Sequence, residues 1–186
     1  FVKSGLIAEK KEEWMGQKGR CAILSGSCSE ATRRQIETHG ENEMQYEIDV
    51  AEVMREEVGV NELLSWLLAQ DGLPIIYSSS SPKAVKAVQA EFGANAVADK
   101  LGVLFGELAV RLVDAGIERL IVAGGETSGS VVEALATTVL TIGPEIDPGV
   151  PAMRGGEKLA MALKSGNFGA DDFFQAAALV LAGEMK

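Results

Sequence analysis

Residues 119–129 read RLIVAGGETSG: an apolar run that stops at two glycines, then an acid and hydroxyls opening a helical pattern. A short apolar run closed by a turn signal predicts a buried strand. Gly124 and Gly125 permit positive φ and let a ligand approach the backbone. The helix expected over about 128–136 would aim N–H groups and its positive dipole end at that point, which suits phosphate. Thr127 and Ser128 add hydroxyl donors, and Gly129 keeps the stretch open. Glu126 would repel an anion, so it suits a ribose or base contact, a metal-bound water, or bracing of the turn. The plainer reading is a glycine-rich turn made for tight packing. The stretch is neither a Walker A loop, which needs Gly-Lys-Ser/Thr, nor G-x-G-x-x-G.

The same order of strand, glycine turn and helix occurs twice more. Residues 21–25 (CAILS) predict a strand that ends in Ser25-Gly26-Ser27, with a helix over about 29–39. Ser27 and Glu30 fit a capping box, so the hydroxyls of Ser25 and Ser27 either cap or meet a ligand. Residues 158–164 (KLAMALK) predict a strand leading into a loop where Gly166 and Gly169 bracket Phe168. That loop could lie along a flat ring with Lys164 nearby. It could equally be a turn whose Phe168 plugs the core and whose Asp171 caps a helix over about 171–183.

Further strands are expected at 43–50, 74–79 and 138–143. Further helices are expected at 61–70, from Pro82 behind a Ser81 cap, and at 99–115. Strands alternating with helices predict a single α/β domain with a mostly parallel sheet and helices on both faces. Ligands of such sheets sit at the carboxyl ends of the strands. Residues 142–151 hold three prolines and read as a rigid loop, where Glu145 and Asp147 could help hold magnesium. Ser78–Ser81 either cradle a sugar phosphate or cap a helix. His39, beside Gly40, reads as part of a helix C-terminal cap. No Ser/His/Asp or Cys/His constellation is present.

With 186 residues, 47% hydrophobic and 24% charged, the chain is long enough for one well-buried core. Residues 1–20 are charged and irregular and read as a connecting arm, with Trp14 placed to pack onto the domain over 21–186. Cys21 and Cys28 are too few for a disulfide framework and fit no zinc pattern, so reduced thiols and a cytoplasmic setting are expected. A net charge of -10 argues against nucleic acid as a partner. No apolar run reaches the ~18–20 residues of a membrane span, and no signal peptide is visible. The chain opens on Phe1, which leads us to expect an N-terminal portion ahead of it.

Taken together, SGSCSEATRRQI (25–36), VAGGETSGSVVEAL (122–135), IGPEIDPGVP (142–151) and ALKSGNFGADDFF (162–174) resemble the C-terminal nucleotide-binding domain of the four-carbon acid sugar kinases. The resemblance covers about residues 21–183, with Ser130 standing where the family usually has alanine. It implies ATP-dependent phosphorylation of a 3-oxo-tetronate, threonate or erythronate, with Mg2+. It implies a sugar acid held mainly by a separate N-terminal domain, which would also supply the base. It implies ATP contacts at Ser25 and Ser27, at Gly124, Gly125, Glu126, Thr127, Ser128 and Gly129, and at Gly166 and Gly169. Self-association into a homo-oligomer stays open. The competing readings are a sugar-phosphate-binding module without kinase activity and a nonenzymatic subunit that keeps the fold.

Overall fold

The first strand is buried from its second residue onward, and the rest of the fold is arranged around it. The computed structural model describes residues 14–78 and 82–184. The described chain runs β1 (Arg20–Ser25), α1 (Glu30–Gly40), β2 (Gln45–Glu47), α2 (Val50–Met54), α3 (Val60–Leu68), β3 (Ile75–Tyr77) and α4 (Pro82–Phe92). It continues α5 (Ala94–Asp114), β4 (Ile117–Ala123), α6 (Gly125–Ala134), β5 (Leu140–Asp147), β6 (Val150–Gly155), β7 (Leu159–Lys164) and α7 (Phe173–Leu181).

One seven-stranded sheet has the order β2-β3-β1-β4-β7-β6-β5. The pairs from β2 to β7 are parallel, while β6 and β5 add an antiparallel hairpin at the edge. The expected α/β fold with a mostly parallel sheet is therefore present. Because strand side chains alternate between faces, Ala22, Leu24, Leu120, Val122 and Met161 join a core under α3 and α5. Cys21, Ile23, Ile121, Ala160 and Ala162 join a second core under α1 and α7. Both faces are covered, which is why the central strands carry apolar residues without alternation.

The expected rigid loop at 142–151 is instead the β5–β6 hairpin. Its prolines are tolerated because the ladder shifts register between Ile142 and Glu145 and between Glu145 and Asp147. Gly149, with φ 80°, turns the chain between the two strands. His39 does not act as a cap. Its ring is fully buried, with Nε2 2.8 Å from the Leu73 carbonyl and Nδ1 accepting from Gln175 Nε2 at 3.0 Å. Trp14 lies on the domain. Its Nε1 donates to the Val180 carbonyl at 2.7 Å, and the Arg154 guanidinium sits 5.2 Å over its ring.

Candidate functional site

Tyr77, Ser25, Ala123 and Lys164 stand side by side as register partners at the carboxyl ends of β3, β1, β4 and β7. After β1 the chain builds β2 and β3 on one side, then β4 and β7 on the other. The crevice between β1 and β4 is thus the point where strand order reverses, where ligands of open parallel sheets bind. The ladder continues one residue into each turn: Gly26 N donates to Ala123 O at 3.0 Å and Gly124 N to Lys164 O at 2.9 Å.

The three glycine turns touch one another. A Cβ on Gly26 would collide with Thr127 Oγ1, and one on Gly166 would collide with Ser27 Oγ and come within 2.9 Å of Ser29 Oγ. A Cβ on Gly124, where φ is 121°, would lie 3.1 Å from Thr127 Oγ1 and 3.3 Å from Ser27 N. These glycines are required by close approach, and at Gly124 also by backbone conformation.

α6 begins at Gly125, three residues earlier than the sequence suggests. Glu126, Thr127, Ser128 and Gly129 therefore belong to its opening turns rather than to a loop. No side chain caps this end, and the N–H groups of Gly125, Glu126 and Thr127 have no acceptor inside the helix. Thr127 is buried at the junction, whereas Gly125 and Glu126 are exposed at its rim.

At the first turn, Ser29 and not Ser27 caps α1, accepting from Thr32 N at 3.2 Å. Ser27 Oγ accepts from Ser29 N at 3.3 Å and lies 3.2 Å from Ser29 Oγ. Ser29 Oγ donates to the Gly166 carbonyl, and so does Thr32 Oγ1 at 2.9 Å. Lys164 Nζ reaches the same group, 2.9 Å from Thr32 Oγ1 and 3.3 Å from Gly166 O. Lys164 is only 2% exposed, and burial alone pushes its ammonium down to about 8.

The third loop is held from below. Gln35 Nε2 donates to the carbonyls of Phe168, Gly169 and Ala170 at 3.0, 2.9 and 2.9 Å. Phe168 does not plug the core. It is 44% exposed and faces the Gly149 turn, while Phe173 and Phe174 fill the core. Asp171 does not cap α7 but pairs with Arg34 at 3.3 Å. Gly169 serves the turn, with φ 88° and the Phe173 ring against it, and stands apart from the junction.

Three cavities touch α6, one of them, of about 970 Å3, lying between α5 and α6 along Asp99, Gly102, Gly106 and Ser130. Another, of about 540 Å3, is mostly apolar and runs past Ser128, Gly129, Val132, Ala136 and Leu163. A further one, of about 800 Å3, lies past the carboxyl ends of β1, β2 and β3 and is lined by Gly26, Cys28, Asp49, Ser78, Leu101 and Glu126. Ser78 is 3% exposed, and its Oγ has no hydrogen-bond partner among the described residues. Ser79–Ser81 lie outside the described residues. Glu145 and Asp147 are engaged elsewhere, accepting from Gly149 N at 2.9 Å and Ala170 N at 2.7 Å. Among the described residues no group of three His, Cys, Asp or Glu side chains could hold a metal ion. No described helix is long and apolar enough to cross a membrane.

The structure thus brings Ser25, Ser27, Gly124, Thr127 and Gly166 to one junction, sets Gly125 and Glu126 at its rim, and puts Ser128 and Gly129 beside the apolar cavity. Sequence reading missed Thr32 and Gln35. Their only signal is that both fall on the α1 face shared with Ile36 and His39, where a buried polar group needs a partner.

A mostly parallel α/β sheet with a bare helix N-terminus at its switch point is an arrangement that suits phosphorylated ligands. Residues 22–174 match the family model described as a nucleotide-binding C-terminal domain, and the chain belongs to that family, in the form carried by the four-carbon acid sugar kinases. It is 47% identical over 161 residues to a 3-oxo-tetronate kinase of Brucella melitensis, covering 84% of this chain and 37% of that protein. It is 46% identical over 164 residues to a 3-oxo-tetronate kinase of Pseudomonas fluorescens, covering 87% of this chain and 38% of that protein. The crystal structure of Haemophilus influenzae protein HI1011 superposes with a TM-score of 0.86 at 35% identity, covering 92% of this chain and 42% of that one. A Bordetella bronchiseptica structure described as a domain-swapped dimer with bound citrate shares the fold, with a TM-score of 0.69 at 23% identity, over 89% of this chain and 42% of that one. The chain spans about two-fifths of the length of the curated relatives it matches.

Proposed function

We propose that this chain binds ATP across the β1–β4–β7 crevice, as the nucleotide-binding part of a kinase that phosphorylates a four-carbon sugar acid. The acceptor is of the 3-oxo-tetronate, threonate or erythronate class. The observation that carries this reading is the apposition of the three glycine turns beneath the uncapped N-terminus of α6. Phosphate oxygens would take the N–H groups of Gly125, Glu126 and Thr127 and the hydroxyls of Ser25 and Ser27. The apolar cavity beside Ser128 and Gly129 suits a flat base. The cavity past the ends of β1 and β3, with Asp49, Ser78 and Glu126, suits hydroxyl groups and repels anions, which argues against a sugar-phosphate module centred on Ser78.

In phosphoryl transfer the acceptor hydroxyl attacks the γ-phosphorus in line, and positioning with charge stabilisation supplies most of the rate. Residues 21–186 would supply the phosphate alignment. The choice of sugar acid and the catalytic base are assigned to the further length that the relatives have. Magnesium would be carried by the nucleotide phosphates, with few or no protein carboxylates.

Titration of the chain with ADP and with tripolyphosphate, followed by calorimetry, tests the reading. Both should bind. Gly166→Val, which drives a side chain into Ser27 and Ser29, should weaken both at least roughly tenfold with the circular dichroism unchanged. No phosphorylation of a sugar acid should be detectable with this chain alone. Turnover by it would overturn the assignment of the base elsewhere, and silence with both ligands would overturn the nucleotide reading.

A further inference from the structure

Lys164 is the one buried ammonium of the described residues, and its surroundings do not supply the charge it needs. Its three hydrogen-bond acceptors are neutral: Thr32 Oγ1 at 2.9 Å and the Ser165 and Gly166 carbonyls at 3.3 Å each. The Phe173 ring lies 5.7 Å away. No carboxylate of the described residues forms an ion pair with it.

The elements packed against it explain why. β4 meets it with Ala123. α1 turns Thr32, Gln35 and the neutral-bonded His39 to this face. The charged groups of α1 do not pair with it: Glu30 and Arg34 are paired at 3.2 Å, Arg34 is paired with Asp171, Arg33 is in no ion pair with a described residue, and Glu37 is exposed. Asp172 precedes α7, and Asp147 of β5 is committed to Ala170 N. An ammonium stripped of water and given only neutral oxygens is costly, and such a charge persists where something compensates it.

Resting on the nucleotide reading above, we propose that the compensating charge is the bound nucleotide's phosphate, and that Lys164 is a positioning residue which fixes the Gly166 carbonyl and couples nucleotide binding to proton uptake. The coupling path is short. Lys164, Thr32 and Ser29 all meet Gly166 O, and Gly166 lies so near Ser27 at the crevice that a Cβ on it would collide with Ser27 Oγ. A phosphate seated there favours the charged form of the lysine and stiffens the loop that the lysine holds. Burial has already moved the unliganded group down to about 8. The complex therefore holds more proton than the unliganded chain above that pH, and affinity falls as pH rises through it.

The test is calorimetry of ADP binding at pH 7 and 8.5, each in two buffers of different ionisation enthalpy, with the chain and with Lys164→Met. The chain should take up a measurable fraction of a proton at pH 8.5, more than at pH 7, and its affinity should fall between pH 7 and 9.5. Lys164→Met should bind more weakly at pH 7, and its binding should lose both the uptake and the pH slope. ADP binding by the chain at pH 8.5 without proton uptake overturns the proposal alone, whether or not the variant folds. Uptake that persists in a folded Lys164→Met chain also overturns it. No ADP binding at any pH overturns the nucleotide reading and this proposal with it.

Discussion

His39 carries two bonds that fix its proton: Nε2 must donate to the Leu73 carbonyl, and Nδ1 accepts from Gln175. Burial, the largest influence on it, pulls its pKa below 6.5. The unfolded chain then binds a proton more readily than the folded one, so stabilisation present above pH 6.5 is lost as pH falls through the folded value. Urea unfolding followed by circular dichroism should show the midpoint dropping from pH 7 to 5, with a shallower drop in His39→Gln. An equal slope in both would remove His39 as the cause. At this scale the sequence was only partly readable. The glycine positions were visible as glycines, but the burial of His39 and Gln35 depends on residues 73 and 168–175, and that of Lys164 on α1 and its Thr32, in each case more than thirty positions away.

At the scale of elements, one hydroxyl both caps α1 and ties it to the third loop, beside the bonds that Thr32 and Gln35 make to the same loop. Ser29 caps α1 and bonds the Gly166 carbonyl. Ser29→Ala removes an N-cap and leaves a buried carbonyl with fewer donors, so it should cost about 1–2 kcal/mol in thermal or urea unfolding. Full stability in the variant would show that Ser27 can take over as cap, the choice the S-x-x-E pattern favours. The pattern misled because the chain needs two more residues to leave β1 before it can turn into the helix. The β5–β6 hairpin was hidden for a related reason. Prolines at 144, 148 and 151 argue against a strand in a central position, but Pro144 lies in the edge strand β5, Pro148 in the turn, and Pro151 in β6 just ahead of the residues that pair with β7. The four central parallel strands, by contrast, announced themselves as short apolar runs, because a strand covered on both faces has no polar positions to confuse the pattern.

For the whole molecule, the crevice is assembled from three segments far apart in the chain, 25–32, 124–127 and 164–166, the first two separated by about ninety positions and the last two by about forty. They meet through glycines whose missing side chains are filled by the neighbour's hydroxyl, most tightly where Gly26 faces Thr127 Oγ1. The consequence is genetic as much as structural. Substitutions on the two sides of this contact are not independent. Gly26→Ala alone should be destabilising, and Thr127→Ala alone should leave a small void. Together they should cost less than the sum of the two in a double-mutant cycle read by thermal unfolding, because one methyl replaces the displaced oxygen. Sequence drift across this surface should therefore move in pairs, with a side chain at position 26 tolerated where the hydroxyl at 127 is gone.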